Sequence, residues 1–397
     1  MTGSKGCWPV AKSPFSLAPG EAALLGQVRD FARDTVAPLA PAWERERRIG
    51  REALTEAAGI GLTGLQVATE HGGLGASFSA KAAIAEVLGG ADFGFAMSLL
   101  NTQNVAQRLV RDVPGPVTGR YLPDLLAGRR LGCTALTEPG AGSDFAAIAM
   151  TADRDGDDWV LNGEKAWIIN AAEADVIVVY AQTDPGSGGR GIASLLVDGQ
   201  RGGFERLPAF RMQAQHSIGA GGFRLQDYRV PGGEMLHGPG QAFKAALGGI
   251  NEARIYVAAM CCGMVASALE TAGDHGRTRH TFGTPLLGHQ GWRWRLAEAE
   301  VDLEAARLMV ASAARLVDEG ENTMLSAART KIFATRMAER HLPALAQLMG
   351  AEGLREDYPF GRHLIGARVA SFTDGSTEML LERLMAGRLR DLAGSGA

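Results

Sequence analysis

Gly186-Ser-Gly-Gly-Arg-Gly191, followed at once by Ile192-Ala-Ser-Leu-Leu-Val197, admits two architectures. The six leading residues satisfy the dinucleotide pattern GxGxxG and follow the strand-like run 176–180, as they would in a doubly wound α/β domain. That pattern holds a pyrophosphate only where a helix N-terminus follows, because the helix dipole and its free N–H groups do the binding. Residues 192–197 are apolar and β-rich and read as a second strand. The glycines are therefore expected to form a hairpin loop, and a nicotinamide enzyme loses its best support.

Outward from this hairpin, residues 159–161, 166–169 and 222–225 are further short β-rich runs, separated by Gly, Asp, Asn and Pro clusters at the spacing of antiparallel strands. Upstream, over about 21–132, apolar residues recur at three and four, as in Leu24, Leu25, Val28, Phe31 and Ala32 and again in Ile84, Val87 and Leu88. From Gln241 onward helical patterns return, with breaks predicted at 273–288, 318–322 and 350–359. Strands segregated from helices predict an α+β fold rather than a doubly wound sheet. The predicted domains are helical over 1–132, β over 133–237 and a helical bundle over 238–397.

At 397 residues the chain exceeds what one core usually supports, and it can enclose a large cofactor. A net charge of −4, a pI near 6.1 and scattered basic residues remove the electrostatic footprint of a nucleic-acid binder. The 34 arginines against 6 lysines, with heavy Ala and Gly use, reflect genome composition more than phosphate binding. Cys7, Cys133, Cys261 and Cys262 form neither CxxC nor a His/Cys cluster at metal-ligand spacing, so no metal is expected and a reducing compartment fits. The opening MTGSKGCWPVAKSPF lacks the apolar core of a secretory signal. The apolar stretches 255–264 and 176–181 read as too short to span a bilayer, so the default expectation is a cytoplasmic protein without membrane insertion.

Three segments carry candidate chemistry. In Leu136-Thr-Glu-Pro-Gly-Ala-Gly-Ser-Asp144 the glycines allow close backbone approach, and the Thr and Ser hydroxyls can donate to a polar ring edge or a phosphate. Alone, such a loop is more often an exposed turn. Asn162-Gly-Glu-Lys-Ala-Trp-Ile-Ile-Asn170 sets Trp167 among β-branched residues, where it can wall a flat aromatic cofactor, although a Trp is more often a packing residue. Arg279-His-Thr-Phe-Gly283, His289-Gln290, Gln347-Leu-Met-Gly350 and Thr373-Asp-Gly-Ser-Thr-Glu378 are, separately, ordinary loops and helix ends. Neither GxSxG nor GxxxxGK[ST] occurs, which leaves serine-hydrolase and P-loop readings without an anchor.

In their order and intervals TEPGAGSD, GEKxWI, RxTFG and the terminal acidic-Gly-Ser turn resemble the acyl-CoA dehydrogenase family, over about residues 21–390. The resemblance implies an N-terminal helical domain, a middle antiparallel β domain and a C-terminal four-helix bundle, the partition reached above from periodicity. It implies FAD between the β domain and the bundle, with the adenosine end reaching a neighbouring subunit. By position, Leu136, Thr137, Gly142 and Ser143 would meet the isoalloxazine edge, Trp167 would flank the ring, and Ser376 would join them. Ser143 and Gly375 would also border the substrate. Arg279, Phe282, Gln290, Gln347 and Gly350 resemble residues that hold pyrophosphate and adenosine, partly across an interface, which implies a homotetramer or at least a homodimer.

The implied reaction is α,β-dehydrogenation of an acyl thioester carried by coenzyme A or a carrier protein, with an electron acceptor such as an electron-transfer flavoprotein. Asp374 would take the α-proton while the β-hydride passes to flavin N5. A ribityl hydroxyl and the Asp374 backbone N–H would hold the thioester carbonyl. Because an unactivated α-proton is too weakly acidic for a carboxylate in water, the site must polarise the carbonyl and desolvate the base. Asp374 precedes the helical pattern of Leu380, Leu381, Leu384 and Met385, so a helix N-terminus would lower its pKa while burial would raise it. Some relatives carry the base just before the equivalent of Arg254, but here that residue is Ala253, and Glu252 should point about 100° away. Asn251 and Arg254 then resemble contacts to the pantetheine or thioester end.

Two departures stand out. The usual Glu is Asp374, one methylene shorter, and displacing a reacting atom by about 1 Å costs on the order of a hundredfold in rate unless the substrate or backbone compensates. Asp here also resembles nitroalkane oxidase, a flavoenzyme on the same fold. Ile169 occupies a position where the family has Thr or Ser donating toward flavin N5; it cannot donate, and altered flavin potential or oxygen reactivity is expected. Smaller changes are Ala351 in a usual Gly-Gly pair and Ile365-Gly366 in place of Arg-Asp. Beside the dehydrogenase reading stand a flavin oxidase or N-hydroxylase on this fold and a non-catalytic paralogue.

Overall fold

The computed structural model describes residues 14–113 and 115–394; Cys7 and most of the opening segment discussed above lie outside them. The N-terminal region is helical, with α1 Pro19–Phe31, α2 Ala37–Glu46, α3 Arg51–Gly59, α4 Phe78–Ala91, α5 Phe93–Asp112 and α6 Gly115–Leu126. The predicted apolar face of α1 is buried at Leu25, Val28 and Phe31. Side chains set the starts of the central pair. The Ser77 hydroxyl accepts from the Ala80 N–H at 3.1 Å, and the Asp92 carboxylate from the Phe95 N–H at 2.8 Å, satisfying N–H groups that a helix end leaves without partners.

Eight strands follow: β1 Gly132–Ala135, β2 Thr151–Asp155, β3 Asp158–Ile168, β4 Val176–Gln182, β5 Ile192–Asp198, β6 Phe204–Arg206, β7 Gly221–Val230 and β8 Met235–His237. Their order is β6-β7-β3-β2-β4-β5-β8, with β1 on β4. The glycine-rich segment is the loop of an antiparallel β4–β5 hairpin, Val176 opposite Asp198, and no α-helix follows it. The runs 159–161 and 166–169 belong to one strand, β3, apart from Ile169. The sheet is not antiparallel throughout. β1 lies parallel to β4, and β2 meets β4 in parallel at Thr151 opposite Gln182. A parallel neighbour needs a long crossover, and residues 136–175 between β1 and β4 supply it.

The C-terminal region holds α7 Ala242–Thr278, a hairpin of β9 His280–Thr281 and β10 Thr284–Pro285, α8 Gln290–Asp318, α9 Met324–Leu348, α10 Phe360–Phe372 and α11 Thr377–Gly394. The first helical break comes later than predicted, because Gly273 and Gly276 are buried inside α7. A methyl group at Gly276 would overlap the Trp292 ring, so this glycine marks a close helix contact rather than a stop. The predicted apolar lengths also understated α7, which is long and apolar enough to cross a bilayer by length and composition. With 78% of its most apolar window buried, it is a core helix.

The helical regions at the two ends of the chain share one core, in which α4 lies along α7. Glycines permit that approach. A Cβ at Gly89 would come within 2.6 Å of the Met260 Cα, one at Gly90 within 2.9 Å of the Gly263 oxygen, and one at Gly263 would overlap the Glu86 carbonyl oxygen. Arg307 on α8 donates through Nε to the buried Glu86 carboxylate at 2.8 Å and ties a third helix to the pair. Gly263→Ala should therefore destabilise the protein by about 3 kcal/mol, the upper end of overpacking costs, in urea unfolding followed by circular dichroism. An unchanged midpoint would show that α4 and α7 are not held this closely.

Candidate active site

Residues 373–376 join α10 to α11 and contain two successive left-handed residues, Asp374 at φ 57° and Gly375 at φ 98°. Glycine adopts this conformation freely, and Asp is among the few other residues that tolerate it. Ser376 caps α11, accepting from the Met379 N–H through its hydroxyl at 3.4 Å and from the Leu380 N–H through its carbonyl at 3.0 Å. Two buried cations hold the turn. Arg254 Nε donates to the Asp374 carbonyl at 2.9 Å, and Lys331 Nζ donates to the Gly375 carbonyl at 2.6 Å and to the Ser371 carbonyl at 3.4 Å.

The electrostatics follow from that arrangement. Desolvation raises the Asp374 pKa, while Lys331 and Arg254 oppose it. Burial in turn pushes Lys331 down to about 8 and Arg254 down to about 10, with the Asp374 charge acting the other way. The Asp374 N–H donates to no protein acceptor among the described residues, so it is available to a ligand carbonyl. Arg254 is only 4% exposed; its Nε is engaged by the Asp374 carbonyl and its Nη1 by Asn251 Oδ1 at 2.7 Å, so it positions the turn.

On the β side, the loop of residues 136–144 is fastened to β3. Lys165 is fully buried and donates to the Leu136 carbonyl at 2.9 Å and to Glu138 Oε1 at 2.8 Å. Glu138 also accepts from the Ala149 and Met150 N–H groups at 2.6 and 3.0 Å. The Thr137 hydroxyl donates to the Ala166 carbonyl at 2.5 Å, and the Ala166 N–H returns a bond to the Thr137 carbonyl at 3.1 Å. The Thr137 hydroxyl hydrogen is engaged there, which leaves the lone pairs of its oxygen to accept from a ligand. Gly142 and Ser143 are exposed in the same loop.

Beyond Lys165 the β3–β7 pairing is interrupted, and Trp167 stands in the bulge at φ 61°, 64% exposed, with the Phe210 ring centroid 4.3 Å away. A packing tryptophan would be buried; this one presents an aromatic face. Ile169 is half-buried against the helical core. Next to it Asn170, also left-handed, donates to the Ser98 and Gly132 carbonyls, both at 2.9 Å, and pins the end of β3 to the helices.

The remaining predicted residues gather elsewhere. Arg279, Phe282, Gln290, Gln347 and Gly350 are all exposed, Phe282 at 99%, at the end of the bundle where Trp292 Nε1 donates to the Leu348 carbonyl at 3.4 Å. Gln347 lies about 24 Å along α9 from Lys331, so one subunit does not bring this group beside its own Asp374. Lys331, Glu138 and Lys165 were not singled out from the sequence. The last two lie inside the quoted motifs, where opposite charges in two β-flanking segments were a usable signal; Lys331 gives none, because its partners are backbone carbonyls.

Comparison with known proteins agrees along the whole chain. Models of the N-terminal, middle and C-terminal domains of acyl-CoA dehydrogenases match residues 19–129, 133–228 and 240–389. The human mitochondrial short-chain specific acyl-CoA dehydrogenase is 32% identical over 369 residues, covering 92% of this chain and 89% of its own. Glutaryl-CoA dehydrogenase of Desulfococcus multivorans is 29% identical over 370 residues, 92% and 95% of the two chains. The solved butyryl-CoA dehydrogenase of Megasphaera elsdenii superposes with a TM-score of 0.90 at 29% identity, covering 94% of this chain and 99% of that one. With all three domains matched in order and the same fold recovered over nearly the full length, the chain belongs to the acyl-CoA dehydrogenase family.

Proposed function

We propose that Asp374 is the base with which this FAD-dependent CH–CH oxidoreductase takes the α-proton of an acyl thioester. The observation that carries the reading is the gripped turn, which holds the Asp374 backbone with its N–H unpartnered and its half-buried carboxyl under the charge of two cations. The Asp374 N–H would hold the thioester carbonyl and stabilise the charge that develops as the α-proton leaves. Lys331 and Arg254 keep the carboxyl ionisable despite burial, and desolvation strengthens it as a base. Neither Ala253 nor another residue beside Arg254 offers a competing carboxylate at the alternative base position of the family.

The exposed Trp167–Phe210 face beside the glycine-containing 136–144 loop fits a planar ring with a polar edge. Leu136, Gly142, Ser143, Trp167 and Ile169 would line it, and FAD when bound supplies the acceptor for the β-hydride. Arg279, Phe282, Gln290, Gln347 and Gly350 would serve the cofactor of a neighbouring subunit, which makes the working form at least a dimer. The acyl carrier is coenzyme A or a carrier protein, and the reduced enzyme passes its electrons to a partner such as an electron-transfer flavoprotein.

A second reading, a flavin oxidase, is favoured by one observation: Ile169 places an aliphatic, half-buried side chain where the family has a hydrogen-bond donor. Oxygen uptake with a nitroalkane or amine, and none with thioesters, would select it.

Anaerobic mixing with a panel of acyl thioesters should bleach the flavin, and Asp374→Asn should slow bleaching by at least on the order of a hundredfold. A panel that leaves the colour untouched contradicts the reading. The bleaching rate should rise with pH as Asp374 loses its proton. Because Lys331 lowers the pKa of that group, Lys331→Met should move the acid limb to higher pH; a limb that stays put would separate Lys331 from the base.

A further inference from the structure

A buried polar chain runs behind the catalytic turn, and proton abstraction by Asp374 does not use it. It starts at Lys81 on α4, fully buried and without an ion pair among the described residues. Its Nζ donates to Gln66 Oε1 at 2.8 Å and to Asn104 Oδ1 at 2.6 Å, and it lies 5.7 and 5.2 Å from the ring centroids of Phe78 and Tyr256. An ammonium donates and never accepts, so it fixes which way both amides face. Asn104 therefore turns its Nδ2 toward Tyr256 on α7 and donates to the phenol oxygen at 3.2 Å.

The consequence falls on the phenol hydrogen. With its oxygen accepting from Asn104, Tyr256 must point its own O–H elsewhere, yet the residue is 4% exposed and donates to no acceptor among the described residues. A buried donor without an acceptor is costly, and native structures supply one, from protein, water or ligand. The catalytic turn is close by. Arg254 reaches the Asp374 carbonyl from the same stretch of α7, and burial followed by the Asp374 charge pushes the Tyr256 phenol above its usual range. The surroundings favour an electron-rich ligand atom. Among the described residues, the cations Lys81, Arg108, Arg254, Lys331 and Arg383 act on this group or its neighbours, against the carboxylates Glu252, Asp374 and Glu378.

We infer that Tyr256 is a specificity-determining donor, whose O–H binds an oxygen acceptor carried by the acyl chain beyond its reacting carbons. The preferred substrate is then an acyl thioester whose chain bears a carbonyl or carboxylate oxygen, not a plain alkyl thioester. This rests on the reading of Asp374 as the base of a thioester dehydrogenase. Lys81 and Asn104 touch no substrate and act as positioning residues that keep the phenol hydrogen directed at it.

The test uses the FAD-loaded enzyme and three coenzyme A thioesters: pentanoyl, 4-oxopentanoyl with a neutral oxygen, and succinyl with an anionic one. Bleaching kinetics give kcat/KM, and calorimetry gives Kd for the unreactive thioether analogues. The parent should favour at least one oxygen-bearing chain over pentanoyl by on the order of ten- to a hundredfold in both measurements. The better of the two oxygen arms tells a carbonyl from a carboxylate partner. Tyr256→Phe should collapse that ratio toward one, and Lys81→Met should reduce it without removing the phenol. Equal or better use of pentanoyl by the parent, or a ratio unchanged in Tyr256→Phe, overturns the inference while leaving Asp374 as the base. Failure of these and of the wider panel of acyl thioesters, on coenzyme A or on a carrier protein, to bleach the flavin overturns the dehydrogenase reading and this inference with it.

Discussion

Arg254 on α7 and Lys331 on α9 donate to the carbonyls of Asp374 and Gly375, two consecutive residues in left-handed conformation. A non-glycine residue held there costs about 1–3 kcal/mol, whereas a hydrogen bond from a charged donor contributes about 1.5–3 kcal/mol. Two such bonds outweigh the strain, so the turn keeps one geometry. Asp374 keeps its N–H unpartnered among the described residues, and its half-buried carboxyl lies within electrostatic reach of both cations. The grip works only if α7 and α9 are themselves immobile. That condition traces back to Gly89, Gly90 and Gly263, which let α4 and α7 close on each other.

The β side is built on the same device. Lys165 is buried against Glu138 and the Leu136 carbonyl, and the loop it holds borders the bulge from which Trp167 projects. A buried ion pair adds little net stability once desolvation is counted, but it fixes position, which a binding surface needs more. Of the 6 lysines in this arginine-rich chain, Lys81, Lys165 and Lys331 are buried, and each grips oxygen atoms from other segments. A compact ammonium on a flexible stem reaches such carbonyls where a planar guanidinium would not fit. The scarcity of lysine, read at first only as genome composition, therefore also marks where it matters.

The partition into helical, β and helical regions was legible because each carries its own apolar period, and the strand after Gly191 was enough to dispose of the dinucleotide motif. The acidic turn at Asp374 was legible as a motif. What escaped are interactions whose partners leave no trace in sequence. The bond from Arg254 to the turn was not foreseen, because nothing about residue 254 announces a backbone carbonyl 120 residues away. The bond from the Thr137 hydroxyl to Ala166 was not foreseen, because a backbone carbonyl belongs to every residue type alike. Gly273 and Gly276 looked like punctuation because a glycine at a helix crossing and a glycine at a helix end are the same letter. The chain from Lys81 through Asn104 to Tyr256 joins three helices and exists only once they have packed.

The claim on which the rest turns is that the gripped carboxyl of Asp374 moves the substrate proton. The direct measurement is exchange of the α-hydrogen of an enzyme-bound acyl thioester with deuterated water, followed by mass spectrometry in the parent and in Asp374→Asn. Exchange in the parent and its loss in Asp374→Asn, with thioester binding retained, is the predicted result. Exchange at the parental rate in Asp374→Asn would contradict the account.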